Sequence, residues 1–298
     1  MEAPFRISPR PGPRLALFFF VLAIISAHAA LSGAAAPDDA FATLKQRLIR
    51  DGVPADRVSM LYPPDASPLL KSVSSMFYIK ESKLNYGRFL EPSSVALARK
   101  LLRKYESHLV RAENAYGVDR SVIAAILFVE TGFGQNTGST SALNVFSTFA
   151  LMEDKNCRDG IWSTLPYELR EEWGSYLFDQ RLIKRAQWAY AELRALIEWT
   201  GAEPETARSL RGSYMGAIGW PQFLPTSILR FGVDADNRGR VDLFNPSDAI
   251  MSVGNYLRSF GWREGASRTE QEQVIFHYNH STPYVNTILD LAAMLRNG

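Results

Sequence analysis

Asp119-Arg-Ser-Val-Ile-Ala-Ala-Ile-Leu-Phe-Val-Glu130-Thr-Gly-Phe-Gly-Gln-Asn-Thr-Gly138 is the stretch from which the rest of the chain can be read. Asp119 stands ahead of an apolar run as an N-cap, Gly132 stops it, and further glycines punctuate the loop beyond. Every side chain from Val122 to Val129 is apolar. A helix with no wet face is a buried helix. Its last turn then carries one carboxylate, Glu130, whose neighbours three, four and seven residues back are Leu127, Ile126 and Ile123.

Two effects raise the pKa of such an acid. Aliphatic neighbours disfavour the anion by desolvation, and the partial negative charge at the helix C-terminus does the same. Moving a glutamate from about 4.3 to about 6–7 costs roughly 2–4 kcal/mol. That cost is tolerated mainly where a protonated acid is useful, as in general-acid cleavage. A helix-terminal glutamate turned to water or paired with an arginine explains this helix better when it is taken alone, so the rest of the chain decides.

The bulk composition bounds the answer. With 298 residues, 46% hydrophobic and 21% charged, the chain can bury a substantial core behind a soluble surface. A net charge of +2 gives no argument for nucleic acid. One cysteine, Cys157, allows neither an intrachain disulfide nor a cysteine-based metal site, and the four histidines have no zinc-ligand spacing. At the N-terminus Arg6, Arg10 and Arg14 precede an apolar run from Leu15 to Ile25. Small residues follow, including Ala27-His28-Ala29 and Ala34-Ala35-Ala36. This is the pattern of an export signal, and the run is short for a membrane span. Residues 1–36 are therefore expected to be a signal peptide and 37–298 the mature chain, working outside the cytoplasm, with an uncleaved membrane anchor as the alternative. Without a cysteine after the run, no lipoprotein anchor is expected.

Along the chain, a short helix is expected from Asp39 to Asp51 and a loop from Tyr62 to Pro68, while residues 71–91 resist assignment. Ser93 or Ser94 is expected to cap an amphipathic helix ending at Gly117, with Leu97, Leu101, Tyr105, Leu109 and Ala112 on its stripe. Ala142 to Met152 reads as another apolar helix, and Glu153 to Pro166 as a polar loop. Helical periodicity resumes through Leu182, Ala186, Ala189, Leu193 and Leu196 and stops at Gly201. Three glycines and two prolines between Gly212 and Ser227 suit tight turns or the close approach of a ligand. Ser213 and Gln222 are the candidate hydrogen-bonding groups there.

Val233 to Asp242 has the look of a calcium loop, with Asp234, Asp236 and Gly239 in its first, third and sixth places. Arg238 takes the fifth place, where a guanidinium beside an ion is unfavourable. A structural calcium in the Asp234–Asp242 loop is therefore disfavoured by Arg238 but stays open, and no other metal or cofactor is expected. Asn245-Pro246-Ser247-Asp248 opens a helix stopped by Gly261, and another starts near Thr269. Tyr278 and Asn279 fall at its junction with a last helix that begins at Ser281-Thr282-Pro283 and carries Tyr284 in its first turn. Side chains at such a junction can face a cleft.

In this order the motifs resemble lytic transglycosylases of the membrane-bound lytic transglycosylase B type. The segments that carry the resemblance are Tyr116-Gly117-Val118 with Ala124 to Thr131, Gly212-Ser213-Tyr214 through Ser227, Asp234 to Leu243, Asp248-Ala249-Ile250, Gly261-Trp262, and Tyr278-Asn279-His280-Ser281 with Tyr284. It covers roughly Phe41 to Leu295. The resemblance implies a mainly α fold, a lysozyme-like α+β core with additional helices and no separate wall-binding module. It implies Glu130 as the single catalytic acid, with Ser213, Gln222, Tyr278, Asn279 and Tyr284 lining sugar subsites. Peptidoglycan glycan strands are the implied partner, with no nucleic acid and no lasting membrane anchor.

The implied reaction needs one carboxylate where hydrolytic glycosidases usually need two. Glu130 protonates the glycosidic oxygen leaving N-acetylmuramic acid. It then takes the proton from that sugar's C6 hydroxyl, which closes on C1 as a 1,6-anhydro ring. A hydrolytic muramidase using the same acid and a non-catalytic wall-binding protein are the competing readings.

Overall fold

The computed structural model describes residues 39–75, 77, 85–201 and 203–296. The expected signal peptide lies outside these residues. At the centre is the helix read first, α6 (Arg120–Thr131). The Asp119 carboxylate accepts from the Ser121 amide at 2.8 Å, and Gly132 takes the left-handed position (φ 60°) that ends the helix. Every residue from Ser121 to Val129 is buried. Each large aliphatic side chain so placed contributes roughly 1.5–3 kcal/mol.

α4 (Pro92–Lys104), α5 (Glu106–Tyr116), α13 (Pro246–Ser259) and α15 (Thr282–Arg296) surround α6. α4 and α5 correct the expectation of one helix. Glu91 is the N-cap with Pro92 at the first position, and the chain turns at Tyr105. Leu97 is consequently exposed, while Val95, Ala98 and Leu101 face inward. The Tyr105 ring instead stacks on Phe133 at 5.6 Å and meets Trp220 edge-on at 5.1 Å.

A second group of helices forms the other wall. α1 (Ala42–Arg50) and α2 (Ala55–Leu61) precede α3 (Leu70–Ser75), and α2 and α3 were not foreseen. After β1 (Thr140–Ser141), α7 (Ala142–Ala150) packs along the 25-residue α10 (Ser175–Trp199). Between them the expected Glu153–Pro166 loop is helical, as α8 (Lys155–Thr164), and α9 (Tyr167–Trp173) follows it. Its polar composition hid a docking device. Arg158 is buried, donating to the carbonyls of Met152 and Glu153 and pairing with Asp179 at 2.9 Å. Ile161 is buried beside it.

After the short α11 (Pro204–Ser209), β2 (Arg211–Gly212) pairs antiparallel with β1, Thr140 opposite Gly212. Further bridges join Gly212 to Ile218 and Ile218 to Phe223. α12 (Pro225–Phe231) and α14 (Arg268–Tyr278) complete the fold. The result is mainly α, with one two-stranded sheet among the described residues. Among the described residues no helix is long and apolar enough to cross a membrane.

Candidate active site

Glu130 closes α6 where the buried run meets the loops. The residue as a whole is half-buried, but its carboxyl group is enclosed enough that desolvation pushes its pKa up to about 7. Oε1 accepts a 2.7 Å hydrogen bond from the Tyr284 hydroxyl, which partly opposes that rise. Oε2 has no protein partner among the described residues, so one carboxyl oxygen is held and the other is free for a ligand.

Tyr284 is buried in the first turn of α15, its hydroxyl pKa well above the ordinary range because of burial and the adjacent Glu130 charge. It therefore acts as a neutral donor. Tyr278 lies parallel to it, ring centroids 6.4 Å apart, and donates to the Pro221 carbonyl at 2.5 Å. That bond ties the α14–α15 junction to the glycine-rich turn. The turn is pinned from two more sides. The Thr131 hydroxyl donates to the Trp220 carbonyl at 2.8 Å, and the Trp220 amide to the Leu243 carbonyl at 2.9 Å. Thr131 is the residue after Glu130, so the acid and the turn are fixed by one anchor.

The turn itself depends on backbone that only certain residues accept. Gln222 has φ 52°, a left-handed value unusual outside glycine. Gly138 has φ 89°, and a Cβ there would stand 2.1 Å from the Gly212 carbonyl oxygen. Gln222 spends its amide donors on the Gly219 and Thr137 carbonyls, at 2.9 and 3.3 Å. Its side-chain oxygen is left without a protein partner among the described residues. The Ser213 hydroxyl accepts from the amides of Ala217 and Met215, at 3.0 and 3.3 Å, which leaves its proton available to a ligand. Asn279 is buried at the junction, and its side-chain amide likewise has no protein partner among the described residues. Of the residues singled out from sequence, only Tyr284 bonds Glu130 directly. Gln222 belongs to the turn that Thr131 anchors, Tyr278 and Asn279 lie at the α14–α15 junction bonded to that turn, and Ser213 is bonded within its own 213–217 segment.

A model of the Transglycosylase SLT domain family matches residues 36–272. The chain belongs to that family. It is 29% identical over 178 residues to membrane-bound lytic murein transglycosylase B of Escherichia coli K12, an alignment spanning 60% of this chain and 41% of the relative. The fold matches the Escherichia coli lytic transglycosylase Slt35, solved in complex with calcium, at a TM-score of 0.67 and 21% identity, over 89% of this chain and 95% of that one. It also matches SltB3 of Pseudomonas aeruginosa, solved with NAG-anhNAM-pentapeptide, at a TM-score of 0.66 and 18% identity, over 87% of this chain and 80% of that one.

Sequence reasoning missed two features that this family fold brings to the site. The first is Thr131, whose anchoring bond spans 89 positions and leaves no local trace. The second is a stripe on α10. Arg181 lies over Trp173 at 4.5 Å, and Arg185 over Trp188 at 4.5 Å. Neither has an acidic partner among the described residues, and burial with mutual repulsion pushes Arg185 down to about 10. Arg185 is also within electrostatic reach of Tyr214 in the glycine-rich turn. The signal was present in the sequence, since arginines four apart on α10 have no acid three or four residues away. Farther along α10, Trp188 and Glu192 line a cavity of about 200 Å³ with Phe223, Tyr278 and His280.

Proposed function

We propose that the protein is a peptidoglycan lytic transglycosylase that cleaves the β-1,4 bond between N-acetylmuramic acid and N-acetylglucosamine without water, leaving a 1,6-anhydro-N-acetylmuramic acid end. The observation that carries this reading is the setting of Glu130, a desolvated acid with a pKa near neutrality, one oxygen held by Tyr284 and the other free. A group that titrates near the working pH can give a proton and take one back.

The steps follow from that dual capacity. Protonated Glu130 donates to the glycosidic oxygen as the bond to C1 breaks. The substrate's own N-acetyl group stabilises the positive charge at C1. The Glu130 carboxylate then removes the C6 hydroxyl proton, and that oxygen closes on C1, returning the acid to its starting state. The buried apolar run of α6 behind Glu130 limits water at the acid. Among the described residues no second buried carboxylate is left for the base or nucleophile of a hydrolase. The other buried acids among the described residues, Glu192 and Asp248, are engaged elsewhere, Glu192 by the amide and hydroxyl of Thr226 and Asp248 by the 235–242 loop.

Ser213, Gln222, Asn279 and the rings of Tyr278 and Tyr284 are assigned to the sugars, since each offers a polar group or an apolar face suited to an amphipathic ring. The SltB3 complex with a 1,6-anhydro muropeptide supports this choice of product class. The substrate lies outside the cytoplasm, in keeping with the export pattern at the N-terminus. N-terminal sequencing of protein recovered from the cell envelope tests that part, with a start between about Ala30 and Pro37 expected. Mass spectrometry of digested peptidoglycan tests the reaction. Anhydro ends that disappear in Glu130→Gln are expected. Reducing N-acetylmuramic acid alone would make the protein a muramidase, and undiminished cleavage by Glu130→Gln would remove Glu130 from the mechanism.

A further inference from the structure

The Asp234–Asp248 segment has the order of a calcium loop, and the structure shows how it is held. Asp248 is fully buried at the third position of α13. A carboxylate so placed must be compensated. Its Oδ1 accepts from the Ala235 amide at 3.0 Å, and its Oδ2 from the Asp242 amide at 2.8 Å and from Arg238 Nη2 at 3.2 Å. Asp234 is engaged as well, accepting from the amides of Arg238 and Gly239 at 2.9 and 2.7 Å. From α5, Arg111 donates to the Ala235 carbonyl at 2.8 Å and lies 4.0 Å from Asp236.

These residues do not fit a bound calcium ion. The fifth place, which should supply an oxygen ligand, supplies a cation instead, and that cation sits on the buried carboxylate. Among the described residues no three acidic, histidine or cysteine side chains are grouped to hold a metal. We propose that the Arg238 guanidinium is the resident cation of this loop, doing internally what calcium does in a loop with an oxygen ligand at the fifth place. Two guanidinium groups, Arg238 and Arg111, face the acids Asp234, Asp236 and Asp248, so the loop is ordered without a metal. The consequence reaches the candidate site, because Leu243 of the same loop accepts from the Trp220 amide and packs where a Cβ on Gly219 would stand.

Thermal denaturation of the full chain tests this independently of the proposed reaction. In EDTA and in millimolar calcium the wild type is expected to melt at the same temperature. Arg238→Gln, which keeps the length and loses the charge, is expected to melt about 5 °C lower in both. Arg238→Asp restores an oxygen ligand at the fifth place. It is expected to melt lower still in EDTA and to regain stability with calcium but not with magnesium. A wild-type midpoint that rises by several degrees with calcium would overturn the proposal. So would an Arg238→Gln protein that melts with the wild type in EDTA, or a folded Arg238→Asp protein blind to calcium.

Discussion

At the scale of single residues, Glu130 ties stability to pH in a way that can be measured. Its carboxyl titrates near 7 in the folded protein against 4.5 as the ordinary value, so the folded form holds the proton more tightly than the unfolded chain. That stabilisation is complete below about 4.5 and is lost as pH rises through about 7. The gap between those two values corresponds to at most roughly 3–4 kcal/mol. Glu130→Gln is therefore expected to match the wild type near pH 4 and to be more stable near pH 8, by chemical denaturation at both. A less stable variant near pH 8 would show that the acid is not desolvated. Tyr284→Phe removes the one bond among the described residues that favours the anion. The alkaline limb of the pH–rate profile should then move upward, on the order of half a unit to one unit, the gap between neutral and charge-assisted hydrogen bonds. A limb that stays in place would separate Tyr284 from the titrating group.

At the scale of elements, the end of α6 and the glycine-rich turn behave as one piece because Thr131 joins them. Its hydroxyl donates to Trp220 and accepts from the Gly134 amide at 2.9 Å. Thr131→Val keeps the shape and strands both partners, which should cost roughly 1–3 kcal/mol. In a calorimetric scan that is a fall of about 2–4 °C per kcal/mol, accompanied by slower turnover because the turn loses its anchor beside Glu130. On α10, Arg181 and Arg185 have no acidic partner among the described residues, and under the proposed function they suit the carboxylates that peptidoglycan stem peptides carry. Replacing both by glutamine should weaken binding of peptide-bearing fragments by roughly ten-fold or more and leave peptide-free glycans little affected. Equal loss for both ligands would assign the pair to packing over Trp173 and Trp188.

At the scale of the molecule, one hydrophobic core runs from Phe41 to Leu295. The N-terminal helices belong to it. Phe41, Leu44, Leu48, Val58 and Leu61 are buried, Tyr190 of α10 donates to Asp51 at 2.6 Å, and the Tyr62 and Ser147 hydroxyls are bonded at 2.7 Å. At roughly 1.5–3 kcal/mol each, those five side chains approach the entire stability of an ordinary domain. A chain lacking residues 39–61 is expected to be unfolded by circular dichroism. A folded truncation with an unchanged midpoint would make α1 and α2 an appendage.

What the sequence determined by itself was whatever local patterning and order encode. The apolar run and its caps placed α6 and stranded Glu130 at its end, glycine and proline density marked the turn at 212–227, and motif order identified the family. Composition misled where polar residues served packing, as in α8, whose Arg158 is a buried clamp and not a loop charge. The Tyr105 break was equally invisible, because the ring's partners Phe133 and Trp220 lie far along the chain. Only the tertiary structure decided how the acid is tuned and held. Desolvation of Glu130, the Tyr284 bond across 154 positions, and the Thr131 anchor are sums over neighbours that sequence distance conceals.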